Sequence, residues 1–171
     1  MIEVRPAEPQ DAAGIRRILL AAFPTGAEAD LVERIEADGD AVISLVAADH
    51  GNIVGHVLFS RMATKGDGRA IPSLGLGPVA VAPRAQQTGI GSALIRAGLG
   101  IAKAYGEELV FVLGEPEFYE RFGFSAETAR PFASPYAGPY LMALPLQDGF
   151  TPPAAGRADY ASAFTALGDA A

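Results

Sequence analysis

The stretch running from Val79 to Leu94 constrains this chain most: an apolar segment, Val79-Ala-Val81, breaks at Pro83 and re-enters regular structure through Gln86-x-x-Gly89-x-Gly91. A strand, a loop with little side-chain bulk and a helix in that order can aim consecutive backbone N–H groups at one point. Helix N-termini carry unsatisfied donors and a partial positive charge, so that point suits a phosphate or pyrophosphate. The loop reads as an anion cradle.

Two familiar nucleotide motifs are set aside. A nucleoside-triphosphatase loop needs Gly-Lys-Ser/Thr, whereas Gly91 is followed by Ser92 and Ala93, and the chain's two lysines, Lys65 and Lys103, lie elsewhere. Gly75-Leu-Gly77-Pro-Val-Ala80 fits a relaxed dinucleotide pattern. That fingerprint must open a helix, and here it contains Pro78 and runs into a strand.

The segment around Gln86 to Gly91 resembles the signature of the GNAT superfamily of N-acetyltransferases, Arg/Gln-x-x-Gly-x-Gly/Ala. Downstream, Phe118-Tyr119-Glu-Arg-Phe-Gly123-Phe124 is similar to the family's aromatic segment. The two motifs occur in the family's order, with a helix and a strand between them, and the resemblance covers roughly residues 2 to 146. It implies an α/β (α+β) fold, a mixed twisted central sheet flanked by helices. It also implies that acetyl-coenzyme A is the cosubstrate. Backbone groups of Val79 and Val81 would then meet the pantetheine amides. The N–H groups of Gln87, Thr88, Gly89, Ile90, Gly91 and Ser92 would meet the pyrophosphate, with Gln86 in the family's arginine or glutamine position. Tyr119 would sit near the coenzyme sulfur as a general acid. Glu115, just beyond an apolar strand, is the candidate base acting through water, with a solvent-facing carboxylate as its plainer reading.

Composition bounds the chemistry. With no cysteine among 171 residues, disulfides, thiolate-zinc sites and a cysteine acyl-enzyme are excluded, and His50 and His56 are too few for a histidine metal cluster. No metal is expected. A net charge of −7 disfavours nucleic acid as a partner and mildly favours a cationic acceptor. The absence of a leader-like N-terminus or a long apolar run leads to the expectation of a cytoplasmic protein away from membranes. The expected partner is a small-molecule or peptide amine, and the choice between monomer and homodimer stays open. His56, alone in an apolar strand, is expected to be a hydrogen-bonded core residue. Ser44, Ser60 and Ser73 show no Ser/His/Asp pattern in the sequence.

Along the chain, strands are expected at Ile2 to Arg5, Val42 to Ala48, Ile53 to Met62, Ile71 to Val81 and Leu109 to Leu113, with the last ones at Phe124 and from Pro139 to Leu146. Helices are expected from Pro9, from Ala27, after Gly89 and from Phe118 to Phe122. The helix after the loop is expected to bury Ile90, Ala93, Leu94, Ala97 and Ile101. Gly and Pro inside the Ile71 to Val81 strand predict a bulge or an unpaired edge. Thr64 to Gly68 reads as a surface loop. One domain is expected over residues 1–147, followed by a tail at 148–171 with one short helix at Tyr160 to Leu167. The competing functional reading is a non-catalytic acyl-coenzyme A sensor.

Overall fold

The computed structural model describes residues 1–165. In chain order the elements are β1 (Ile2–Pro6), a 3-10 turn (Pro9–Asp11), α1 (Ala12–Ala22), α2 (Ala27–Ala37), β2 (Ala41–Asp49), β3 (Asn52–Arg61), β4 (Ala63–Gly66), β5 (Arg69–Ala70) and β6 (Ser73–Val81). They continue with α3 (Ile90–Ala104), β7 (Leu109–Leu113), α4 (Pro116–Tyr119), α5 (Ala126–Ala129), β8 (Phe132–Ala133), β9 (Leu141–Pro145) and β10 (Gly156–Asp159). Hydrogen bonding links the strands in the orders β1-β2-β3-β6-β7-β9 and β5-β4-β10-β8. Both sheets contain parallel and antiparallel pairs, so the fold is mixed α/β.

The chain forms two compact units. The first holds Met1–Phe59, Gly77–Gly98 and, of the last described residues, 162–165. Its β1 runs antiparallel to β2, from Ile2↔Asp49 to Pro6↔Leu45. The β2–β3 turn takes His50 and Gly51 at φ 51° and 85°, the left-handed conformation that a two-residue hairpin turn needs. Ile15, Ile18 and Leu19 of α1 and Leu31, Val32 and Ile35 of α2 fall at helical spacing and are all buried. The start of α1 is fixed by Asp11, whose carboxylate accepts from Arg5 Nη1 and Nη2 at 2.7 and 3.0 Å and from the Glu8 N–H at 2.7 Å. The Arg5 guanidinium and that backbone donor hold the Asp11 carboxyl below its ordinary value.

The second unit holds Ser60–Leu76 and Leu99–Ala161. Parallel pairing of β6 with β7 covers Ser73↔Leu109 to Leu76↔Val112, and β7 pairs antiparallel with β9 from Leu109↔Pro145 to Leu113↔Leu141. The first four residues of β7 are buried, which explains why this short strand reads as a continuous apolar run.

Three expectations need correction. Thr64 to Gly68 is no surface loop: β4 and β5 form a hairpin around Asp67 and Gly68, at φ 50° and 81°, and β4 also pairs with β10. Four residues without an apolar run give little sequence signal for such a strand. The segment expected to be a tail supplies β10, antiparallel to β4 and parallel to β8, and the Asp67 carboxylate accepts from the N–H groups of Ala154 and Ala155 at 3.1 and 3.2 Å. Of the short helix expected at Tyr160 to Leu167, residues 163–165 are helical and the last two positions lie outside the described residues. Lastly, α3 buries Ile90, Leu94, Ile95 and Ala102 while Ala93 is exposed. The ridge runs at four-residue spacing from Ile90 rather than through Ala93.

His56 is completely buried, and its Nε2 lies 2.9 Å from Ser44 Oγ. Its Nδ1 is enclosed with no hydrogen-bond partner among the described residues. Burial lowers its pKa from 6.5 to about 4, so the folded protein resists the proton that an unfolded chain accepts. Stability should therefore be complete above pH 6.5 and fall as pH drops toward 4, at about 1.4 kcal/mol per pH unit and on the order of 3 kcal/mol in all. Urea unfolding at pH 7, 5.5 and 4.5 measures this, and His56→Gln should flatten the slope within that window.

Candidate functional site

The cradle lies in the first unit. After β6 the Ala82 N–H donates to the Val54 carbonyl at 2.8 Å, which ties the strand end to β3, and Pro83–Ala85 form a 3-10 turn. Gln86 Nε2 donates to the Val81 carbonyl at 3.1 Å, and Thr88 Oγ1 donates to the Ala85 carbonyl at 2.5 Å. These two side chains thus clamp the loop to its own backbone. Gln87 and Gly89 take φ of 63° and 87°. The Gln87 conformation is uncommon for a residue with a side chain, and only the glycine position was marked by sequence.

The Ala93 N–H donates to the Gly89 carbonyl at 3.0 Å, so the helical ladder starts there and leaves the preceding N–H groups outside it. Ile90 is buried with its side chain against Gly55, whereas residues 86–89 are exposed and Gly91 and Ser92 are half-buried. A Cβ built on Gly91 would lie 3.6 Å from Val81 Cγ2, an ordinary contact. The fold therefore has room for a Cβ at Gly91. Val79 and Val81 are half-buried in the part of β6 beyond its β7 pairing.

The aromatic segment lies in the second unit. Pro116 begins α4 after Glu115, and Gly123, at φ 100°, ends the following turn. The Glu115 carbonyl accepts from the N–H groups of Phe118 and Tyr119 at 3.2 and 3.1 Å, while its carboxylate makes no capping bond and the residue is exposed. Tyr119 meets the rings of Phe118 and Phe124 edge-on, with centroids 5.0 and 5.9 Å away. A Cβ on Gly114 would lie 2.5 Å from Tyr119 Cε2, so the ring rests on the backbone just past β7. Burial raises the phenol pKa above its ordinary 10 and keeps it a proton donor at neutral pH. Arg121 stacks on Phe118, 4.5 Å from the ring centroid.

Two arrangements escaped sequence reasoning. Ser44 and His56 form a pair, invisible because twelve positions on two strands separate them. With the imidazole fully buried and no carboxylate on Nδ1, the pair is a packing feature and not a nucleophile with its base. The other is the approach of Tyr136 and Tyr160, 5.6 Å apart between centroids, the second of which lies in the expected tail. Among the described residues no group of three or more His, Asp or Glu is placed to hold a metal, and no helix is long and apolar enough to cross a membrane.

The fold is shared with solved GNAT acetyltransferases. A GNAT family N-acetyltransferase, YhbS from Escherichia coli in complex with CoA, superposes with a TM-score of 0.85 at 29% identity, over 96% of this chain and 92% of that one. A GNAT family acetyltransferase from Brucella melitensis in complex with acetyl-CoA gives 0.78 at 31% identity, over 96% and 98%. The model of the acetyltransferase (GNAT) domain matches residues 3–126, and the chain belongs to the GNAT acetyltransferase family. The uncharacterized N-acetyltransferase YjhQ of Escherichia coli K12 is 40% identical over 119 residues, which make up 68% of this chain and 66% of that protein.

The two loop glycines should separate fold from binding. Gly89→Ala places a side chain at φ 87° and should lower stability by about 1 kcal/mol. Gly91→Val should leave the melting temperature nearly unchanged and yet obstruct an anion approaching the backbone. Calorimetric titration with acetyl-coenzyme A, run beside thermal melts of both variants, measures the two effects; wild-type affinity in folded Gly91→Val would remove this loop from the site.

Proposed function

We propose that the chain transfers an acetyl group from acetyl-coenzyme A to a primary amine by direct attack in a ternary complex. The observation that carries this reading is the start of α3, where a clamped loop presents N–H groups that the helical ladder does not use. Two similar proteins, crystallised with CoA and with acetyl-CoA, support coenzyme as the anion. In this reading the N–H groups from Gln87 to Ser92 hold the pyrophosphate, and the backbone of Val79 and Val81 receives the pantetheine amides. One lone pair of the Val81 carbonyl is already engaged by Gln86, so Gln86 acts by shaping the loop.

The chemistry is an acyl substitution. The amine nitrogen attacks the acetyl carbonyl carbon, the carbon–sulfur bond breaks, and the sulfur leaves with the bonding pair. Tyr119 gives its hydroxyl proton to the departing thiolate as the general acid, and burial, which raises its pKa, keeps the phenol protonated until that charge develops. The proton lost by the amine passes through water to Glu115, which is exposed to solvent. The products are the acetamide and free coenzyme thiol.

Tyr119→Phe keeps the ring and its edge-on contacts with Phe118 and Phe124, so the melting temperature and coenzyme affinity should change little. Turnover should fall by roughly 10²- to 10⁴-fold, the usual contribution of a general acid, where chemistry limits the rate. Thiol release across a library of primary amines supplies the assay. Coenzyme binding without thiol release for any amine would favour the sensor reading, and undiminished turnover in the variant would reduce Tyr119 to a packing residue.

A further inference from the structure

The chain carries a net charge of −7, yet three of its cations, Arg61, Lys65 and Arg157, line one groove of about 590 Å³ in the second unit, where Asp159 is the one acidic lining residue. The register of the small sheet builds this groove. From β3 into β4 exposure alternates: Arg61, Ala63 and Lys65 are exposed, while Met62, Thr64 and Gly66 are buried, so the first three share the outer face. On that face Lys65 stands opposite Ala70 of β5 on one side and Arg157 of β10 on the other, and Ala63 stands opposite Asp159. Two alanines set among long side chains make the face concave.

The charges are unevenly matched. Arg157 forks onto Asp159, Nε to Oδ2 at 2.8 Å and Nη2 to Oδ1 at 3.0 Å. Arg61 reaches the carboxylate of the buried Glu107 at 3.2 Å. Lys65 makes no ion pair among the described residues. The acidic residue next to it along the chain, Asp67, is turned to the N–H groups of Ala154 and Ala155. Like charges directly opposite one another destabilise a strand pair, and Ala70 offers Lys65 no relief. An anion in the groove would meet Lys65 together with the Arg157 Nη1 donors, which take no part in the Asp159 fork.

The same inventory sets the class of anion. Arg61 and Arg157 each have a carboxylate already, so one positive charge is in surplus and a single negative charge matches it. The second charge of a phosphate ester would face Asp159. The volume falls in the range of small-molecule pockets, roughly 300–1,000 Å³, far more than a bare carboxylate fills. Ala63, Ala70 and Pro72 supply apolar lining for whatever bears the anion.

We propose that this groove is a ligand site for a small monocarboxylate carried on an apolar body. It uses none of the residues of the loop before α3, and it does not rest on the acetylation reading.

Titration of the isotope-labelled full chain at pH 7 and low salt, with amide shifts followed residue by residue, tests this with octanoate and 3-phenylpropanoate as probes. Both should bind saturably and shift the amides of Lys65, Ala70 and Arg157. Octylamine, the charge-reversed counterpart, should leave those amides in place, and acetate, which lacks the apolar body, should bind at least about tenfold more weakly. Lys65→Gln should weaken octanoate about fivefold, the upper scale of a solvent-exposed ion pair. Ala70→Glu gives Lys65 a carboxylate directly across the strand pair and should abolish the shifts. Both positions are exposed, so thermal melts should stay close to wild type; if Lys65→Gln fails to fold, Ala70→Glu decides. No saturation by either probe, shifts confined to residues outside the groove, octylamine binding as well as octanoate, octyl phosphate binding more tightly than octanoate, or unchanged affinity in the folded variants would each overturn the inference. The titration contains no coenzyme, so its outcome is separate from that of the acetylation reading.

Discussion

The seating of α3 on β3 is the contact from which the glycine-rich loop before α3 takes its position. It depends on two glycines, one on each element. A side chain on Gly55 would come within 2.9 Å of Ile90 Cγ2 and 3.0 Å of Leu94 Cδ1, and one on Gly98 would overlap the Phe59 ring. Close-packed interiors resist such additions, at a cost of about 1–3 kcal/mol each. Because Ile90 is the first residue of α3, its buried side chain anchors the turn whose N–H groups are left out of the helical ladder. The exposed edge of the loop is thus held by a packing contact one residue away from it.

The other determinant is β6, a strand whose residues fall into both compact units. Its pairing with β7 lasts for four residue pairs and stops, although β6 continues to Val81 and β7 to Leu113. Backbone groups of β6 beyond the paired stretch need other partners. The Val81 carbonyl finds one in the Gln86 side chain. Gly75, inside the paired part, serves a separate need, since its missing side chain is the space that the Tyr160 ring fills. The glycines of this strand therefore do different work, and their common label as strand interruptions in the sequence hides that.

What could be read from sequence follows the range of the forces involved. Local signals worked: the Asp49 to Asn52 turn, the α1 and α2 periodicities, the Gly123 helix stop and the apolar run of β7 all reflect interactions within a few residues. Failures cluster where partners are remote. β4 and β10 pair across some ninety residues of chain, neither has an apolar run, and each looks like loop or tail without the other. The face read from the α3 sequence runs through Ala93, Ala97 and Ile101, whereas Ala93 is exposed and the buried side holds Ile95 and Ala102 beside Ile90 and Leu94. The glycine-rich loop and the aromatic segment are each legible in the sequence as motifs. The Tyr160 contact was not, since it depends on a strand that sequence did not mark.

The two motifs share a chemical economy. Gln86 leaves the motif's first position without a fixed charge, and its carboxamide is turned back on the strand, so under the proposed function attraction for an anion there would come from N–H dipoles aligned by backbone geometry. Such dipoles act over short distances and only in the right orientation, so under the proposed function the left-handed conformations of Gln87 and Gly89 would serve binding as well as the turn. Tyr119 follows the same logic from the other side. A phenol kept neutral by burial stabilises negative charge by donating a hydrogen bond, and it does so most strongly once that charge develops. Under the proposed function, an oriented neutral donor in both places would take the role that a lysine or arginine could have filled.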